Sequence, residues 1–486
     1  MTLDGTRVVL VCPNDLVVDT RGQKMAQSLR RMGMDVTVVA RASERAPDRE
    51  TVDGVEIVRL PLPAVARVHP PPPPPSKQLV REAEELDAQA ARMARLARED
   101  GRPVRARVVL RGRGLALKAR RRLKGIETRR QRRRERGVVR PIAQLPYRAP
   151  WPGWRETMWF PLEMDKVYWP VIESLDPDVI HCHDLDGLVA SGLAHERLLA
   201  QGKDVRLVYD AHENWAGLPD IDWTQDIHAS WLGVEAEFAP QSDLVITVSE
   251  EIADTIQQRW SLVDRPLVVL NTPSVLMAEP AERTLREVAG LDAATPVMVY
   301  SGSISHARRV PDLVRALPLM PDVHLVIVSV PYPHRFAPEF EELADSLGVR
   351  DRLHIVPPVT SSQVVSYLST ANVGVHPLLP GAPNHEMALP NKLFEYLHAG
   401  IPVVVSNCRA MTAFVRENNL GREFEHGSID SLAKAVLEVL DGRRDGGFTP
   451  PAGLAETYSW EAREPALAQA YAAMLAAAPI GTRDAR

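Results

Sequence analysis

Apolar residues in this chain come in short unbroken runs separated by helical stretches. Residues 7–12 form the first run, and 36–40 the second. Between them, Met25, Leu29 and Met32 recur at spacings of four and three, which predicts a helix over 21–32 with one apolar face. Strands apolar along their whole length are buried on both faces, so strand–helix–strand here predicts a parallel sheet covered on both sides. The same texture returns at 55–60, 179–182, 205–209, 243–248 and 267–270, and again at 297–300, 323–328, 353–356, 372–376 and 403–405. Two successive series predict two doubly wound α/β domains. The predicted division is 1–270 for the first domain and 271–460 for the second, with residues 271–273 as the hinge. A last helix over 461–486 is expected to cross back to the first domain.

The texture breaks between 67 and 160, which reads as an insertion in the first domain. Six consecutive prolines at 70–75 demand extended chain. Residues 78–99 have helix-forming composition, and 105–140 hold 14 Arg and 2 Lys against 2 Glu, a net of +14. The whole chain of 486 residues carries −5, so the rest stands at −19. Such asymmetry gives the insert its own anionic partner or its own solvated face. An anionic membrane surface, a solvated or self-packed face, and nucleic acid are the three options. Leucines are too sparse in the segment for insertion into a bilayer, and no nucleic-acid motif accompanies it, so nucleic acid is not expected. Three widely spaced cysteines make neither a disulfide framework nor a zinc pattern, and no leader or spanning segment is evident. The expectation is a cytoplasmic protein, peripheral at the inner face of the plasma membrane if residues 105–140 dock there.

Chemistry concentrates where strands end. The turn after 7–12 lacks GxGxxG, which argues against a dinucleotide-binding enzyme, but places Asp19 and Arg21 at a strand's carboxyl end, where open α/β sheets bind ligands. The plain alternative is a helix capped by Thr20. Two further strand ends carry His183-Asp184 and His212-Glu213 on one rim. Both histidines could instead cap their strands and bond to backbone. In the second domain, Gly302 precedes Arg308 and Arg309, and the run PNKLFEYLHAGIPVVVS (390–406) opens a helix on Asn391 and Lys392, with Glu395 one turn on. A helix start with free N–H groups and a lysine is an anion site, and a carboxylate one turn deeper suits vicinal ribose hydroxyls.

The run PNKLFEYLHAGIPVV resembles the donor-site helix of retaining GT-B glycosyltransferases of the family-4 type (glycosyl transferases group 1). The segments DPDVIHCHD, YDAHE and YSGSISHARR resemble other motifs of that family in the expected order. The resemblance implies a GT-B fold: two Rossmann-like parallel-sheet domains facing across a cleft. It implies sugar transfer from a UDP- or GDP-sugar to an acceptor with retention of configuration. A cell-envelope glycan, lipid-linked intermediate or polysaccharide is the expected acceptor. No cofactor and no metal are implied. His212, Arg308 and Lys392 become the catalytic residues. Gly302, Arg308, Arg309, Glu386, Asn391, Lys392 and Glu395 become donor contacts, and Asp19, Arg21, His183, Asp184 and Glu213 the acceptor side. The family's two glutamates stand eight positions apart; here Met387 occupies the first position, so Glu386 is expected to reach the sugar from one place away. A nucleotide-sugar isomerase with the same phosphate clamp, and a non-catalytic membrane- or partner-binding scaffold, are the rival readings. A pyridoxal-dependent phosphorylase lacks its signature.

Overall fold

A computed structural model describes residues 3–62, 150–219, 225–304, 308–330, 332, 336–444, 447–448 and 450–477. The proline run, the 78–99 stretch and the basic segment 105–140 lie outside the described residues.

Two sheets carry the chain. The first contains β1 (Arg7–Val11), β2 (Asp35–Arg41), β3 (Arg49–Val52), β4 (Val55–Leu60), β5 (Val179–His183), β6 (Arg206–Ala211), β7 (Leu244–Thr247) and β8 (Leu267–Val268). Its order is β3-β4-β2-β1-β5-β6-β7-β8, parallel except for the β3–β4 hairpin. The second contains β9 (Val297–Ser303), β10 (His324–Val330), β11 (Leu353–Val356), β12 (Val373–His376), β13 (Val403–Ser406) and β14 (Gly421–Phe424). Its order is β11-β10-β9-β12-β13-β14, parallel throughout. Both orders reverse direction at the first strand of the sheet, which opens a crevice at the carboxyl ends there.

Central strands are buried on both faces, as continuous apolar runs require: Val8–Val11 and Val403–Val405 have almost no solvent contact. The folded core of the first domain resumes inside the predicted insertion. Trp154 is fully buried beside Phe238, its ring centroid 6.1 Å away, and Met158 joins the same apolar cluster. Trp154 also donates from its indole N–H to Glu237, 2.8 Å away.

The closing helix Glu464–Ala476 lays Leu467, Tyr471 and Met474 onto the first sheet's core. Tyr471 Oη lies 2.5 Å from His181 Nδ1, and Ser28 donates to Glu464 at 2.6 Å. The chain's C-terminal portion therefore ties the second sheet to the first. Among the described residues no helix is long and apolar enough to cross a membrane.

Candidate active site

On the second sheet the site grows from β9. Gly302 adopts φ 125°, a conformation that favours glycine, and a β-carbon there would stand 2.1 Å from Lys392 Cε. The missing side chain is what lets Lys392 lie across the strand end. Lys392 is the second residue of the helix Asn391–His398, whose N-cap is Pro390 with no side-chain cap. Leu393 N donates to Pro390 O at 3.0 Å, so the N–H groups of Asn391 and Lys392 are the ones left for an anion. Burial lowers the Lys392 ammonium to about 8; the charge of Arg308 pushes the same way, and Glu395 opposes both. Arg308 is half-buried and lies near Tyr300, whose hydroxyl donates to Ser303 O at 2.5 Å. Two cations held this close repel one another, and an anion between them removes that cost. Neither forms an ion pair among the described residues.

Glu395, Asn391 and Ser361 of the second domain line a pocket with Asn271 of the hinge and with Thr20 and Lys24 from across the gap between the sheets. Lys24 escaped the sequence reading. Its Nζ donates to Asn271 Oδ1 at 2.9 Å and Thr272 O at 2.6 Å, and lies 4.7 Å from the Trp460 ring centre. Burial chiefly, with help from Arg21, brings its ammonium down to about 7. Lys24 pins the first domain to the hinge while facing Glu395.

Arg309 takes no part in this cradle. It sits at φ 36° as the N-cap of the helix Val310–Ala316 and pairs with Asp312 at 2.5 Å. The left-handed turn sends its side chain along its own helix, so the expectation of a second donor arginine there is corrected. Glu386 departs from its expected role too. Gly381 N donates to Oε1 at 2.5 Å and Arg409 N to Oε2 at 2.8 Å, so both carboxylate oxygens are spent on backbone. Met387 in the family's glutamate position packs against the first domain, its sulfur 3.5 Å from Thr255 Oγ1. Neighbouring Asn384 accepts from Asn214 N at 2.8 Å, and a β-carbon on Gly217 would come 2.7 Å from Asn384 N. Glu386→Ala is expected to cost about 1–2 kcal/mol of stability, read by denaturant unfolding, because two backbone donors lose a charged acceptor. Unchanged stability with weakened sugar-nucleotide binding would instead return Glu386 to the donor sugar.

On the first sheet, Asp19 rather than Thr20 caps the helix Thr20–Arg31, accepting from Gly22 N at 3.0 Å. Its Oδ2 lies 2.9 Å from His183 Nε2. Burial alone would raise the Asp19 carboxyl, but His183, His212 and the Gly22 N–H hold it well below the usual carboxylate range. His183 is fully buried; burial disfavours its charged form, and Asp19 overcomes this to raise its pKa. The His183 and His212 rings meet edge to face at 4.3 Å. His212 stands between Asp184 (3.6 Å from Nδ1) and Asp210 (3.4 Å from Nε2) and keeps partial access to solvent. Asp184 sits at φ 64° and accepts from Leu185 N at 2.7 Å.

Arg21 is not on this surface. It is 2% exposed and binds Asp210 through two hydrogen bonds of 2.9 and 2.6 Å, with a third to Val269 O at 2.8 Å. Its second helical position turns inward, so its expected acceptor contact is corrected to a buried ion pair. Glu213 opens onto the gap opposite Arg308. Its side chain is exposed there; crowding by the surrounding protein, with the nearby charge of Asp184, pushes its carboxyl up, and Arg308 opposes the rise. Asp186, another residue the sequence reading missed, is likewise pushed up to about 7 by burial, Asp184 and Glu213. His183, Asp210 and His212 place ligand-type atoms within 4.8 Å of one another, and so do Cys12, Asp19 and His183. Arg21 already sets a positive charge on both oxygens of Asp210, and a metal ion there would face the guanidinium.

The geometry is therefore a cationic strand-end cradle facing a histidine–carboxylate rim. Residues 295–442 match the family model described as Glycosyl transferases group 1, and residues 96–273 match Glycosyltransferase Family 4. The chain is a GT-B glycosyltransferase of the family-4 type. Among curated relatives, it is 29% identical over 314 residues to D-inositol 3-phosphate glycosyltransferase of Xylanimonas cellulosilytica, covering 61% of this chain and 72% of that one. The enzyme of the same name from Mycolicibacterium gilvum is 26% identical over 249 residues, covering 50% and 54%. In fold this glycosyltransferase is similar to sucrose-phosphate synthase from Thermosynechococcus elongatus: TM-score 0.64, 15% identity, 97% of this chain and 99% of that one. HepE of Anabaena, solved in complex with UDP-glucose, gives 0.51 at 16% identity over 63% and 81%.

Proposed function

We propose that this glycosyltransferase moves a sugar from a UDP- or GDP-sugar to a hydroxyl acceptor with retention of configuration and without a metal ion. The reading rests on one observation: Lys392 lies across Gly302 at a helix start without a side-chain cap, within the field of Arg308, and neither cation forms an ion pair among the described residues. Breaking the anomeric C–O bond leaves growing negative charge on the diphosphate. Cations and N–H groups already aimed at that charge stabilise the transition state more than the ground state. Asn391 and Lys392 supply the helix start, and Glu395 accepts from the ribose hydroxyls. Gly302 leaves room for the phosphates.

Across the gap, His212 orients the sugar or the incoming hydroxyl, and Asp184 and Asp210 fix its ring. Glu213 and Asp184 form the polar floor on the acceptor side; His183 and Asp19 hold that floor in place from beneath. Closure of the two sheets over the donor excludes water and suppresses hydrolysis.

A thermal-shift screen over UDP, GDP, ADP and their sugars is expected to raise the melting temperature with one base family, since binding to the native state alone stabilises it. Incubation with the selected sugar nucleotide and acceptor then releases nucleoside diphosphate. An altered sugar nucleotide without release identifies an isomerase instead, and no shift with any nucleotide removes the donor site.

For the acceptor we propose a cell-envelope glycan or lipid-linked intermediate, met at an anionic membrane surface through residues 105–140. Their net charge of +14 supports this, at roughly 1 kcal/mol for each basic residue near such a surface. The full chain is expected to sediment with phosphatidylglycerol vesicles in low salt and to be released by high salt. Equal sedimentation after deletion of 76–140 removes the segment from the binding.

A further inference from the structure

His376 ends β12, beneath the cradle of Arg308 and Lys392. Its neighbour Gly374 shows which way this strand faces: a β-carbon there would lie 2.5 Å from the Tyr396 ring, on the helix Asn391–His398. Side chains alternate along a strand, so His376, two residues on, faces the same helix nearer its start. That start carries Lys392. His376 is 1% exposed, and neither ring nitrogen has a hydrogen-bond partner among the described residues. A buried polar group without a partner costs about 1–3 kcal/mol, and native structures rarely keep one without a use.

The groups facing His376 are unusual in sign. Arg308 acts from the loop after β9, Lys392 from the helix Asn391–His398, and His385 from the helix Pro383–Met387. Burial first, then these three, hold the imidazole neutral well below its ordinary range. Glu395, on the same helix as Lys392, is shared between Lys392 and Lys24, and Glu386 is spent on the Gly381 and Arg409 N–H groups. β13, the strand beside β12, offers Val403–Ser406 and no charge. His385 Nδ1 is engaged with Leu379 O at 2.7 Å. An imidazole enclosed by positive charge stays neutral only while no anion is present.

We propose that His376 is a further binding residue of the diphosphate site, neutral in the empty cleft and protonated from solvent when a diphosphate settles between Arg308 and Lys392. The inference rests on the donor-site reading above. Two or more negative charges on the phosphates reverse the local field, and the new imidazolium donates toward them from beneath Lys392. One proton enters from buffer, and no covalent bond changes. Cleavage of the sugar–phosphate bond raises the charge on the diphosphate further, so the product complex holds that proton more firmly than the substrate complex.

The experiment is calorimetric titration with UDP and with GDP at pH 7, in PIPES and in Tris. The two buffers differ in ionisation enthalpy and so count protons. Wild type is expected to take up at least half a proton more than His376→Gln. Its affinity should fall more steeply than the variant's between pH 6 and pH 8, by up to about tenfold per unit. Imidazole nitrogen resonances of the wild type, recorded with and without nucleotide, read the same event without a variant: one ring passes from neutral to doubly protonated. Nucleotide binding with equal proton counts in both proteins, or with every ring unchanged, overturns the role of His376 and leaves the donor site standing. No binding of either nucleotide at millimolar concentration overturns both.

Discussion

Lys392→Ala is expected to lower kcat by about 10²–10³, the loss typical of removing one preorganised donor from developing negative charge. The ammonium lies across the end of β9 only because residue 302 has no β-carbon. It is also desolvated, with its pKa at about 8, so its charge is little screened where the diphosphate leaves. Lys392→Met keeps the aliphatic stem and separates lost packing from lost charge. Gly302→Ala tests the geometry with the lysine still present: the new methyl would overlap Cε, and the strained φ of 125° adds to the displacement. A comparable loss in kcat is expected from it. Removal of Arg308 with Lys392 should cost less than the product of the single losses, because both act on one leaving group. Nucleotide affinity by calorimetry and single-turnover rates measure these effects. Wild-type values for Lys392→Ala would take the cradle out of catalysis.

Arg21→Met is expected to destabilise the first domain by about 3–5 kcal/mol, since it strands the buried Asp210 carboxylate. A melting shift of roughly 6–20 °C follows for a domain of this size. Asp210 holds Arg21 through both oxygens, and Arg21 also satisfies Val269 O at the chain's approach to the hinge. Burial would raise the Asp210 carboxyl, but Arg21, His212 and His181 hold it well below the usual carboxylate range. A carboxyl depressed in the folded state contributes stability that is complete above its unfolded value, near pH 4. That contribution is lost as pH falls from there toward the folded value. The variant should therefore show a weaker acid dependence of stability than the wild type. Arg21→Met with Asp210→Asn is expected to recover part of the loss, because no bare charge remains. An acceptor contact would behave differently, raising KM with the melting temperature unchanged.

Arg21 also shows where sequence reading reaches its edge. Its position after a strand end and beside a helix cap was legible, and so was its cationic chemistry. Its partner lies 189 residues away on β6, and only the packing of the helix Thr20–Arg31 against that strand decides that the two meet. Arg308 and Arg309 are adjacent in sequence and alike in chemistry, yet a φ of 36° sends the second onto Asp312. Glu386 was one residue from the expected position, and its carboxylate was captured by two backbone N–H groups that no spacing rule exposes. His376 read as the last residue of a buried strand, which it is. Its unpaired nitrogens appear only once the helix start is laid over it.

The sequence by itself determined the two parallel sheets, the helix that opens on Asn391 and Lys392, and the strand ends where His183 and His212 stand. Each of these follows from local chemistry: unbroken apolar runs, helical spacing, and punctuation by proline and glycine. Tertiary structure alone decided which charges are spent inside the fold and which are left to act. A charged side chain is committed by whatever lies within about 4 Å, and that neighbour comes from residues far along the chain.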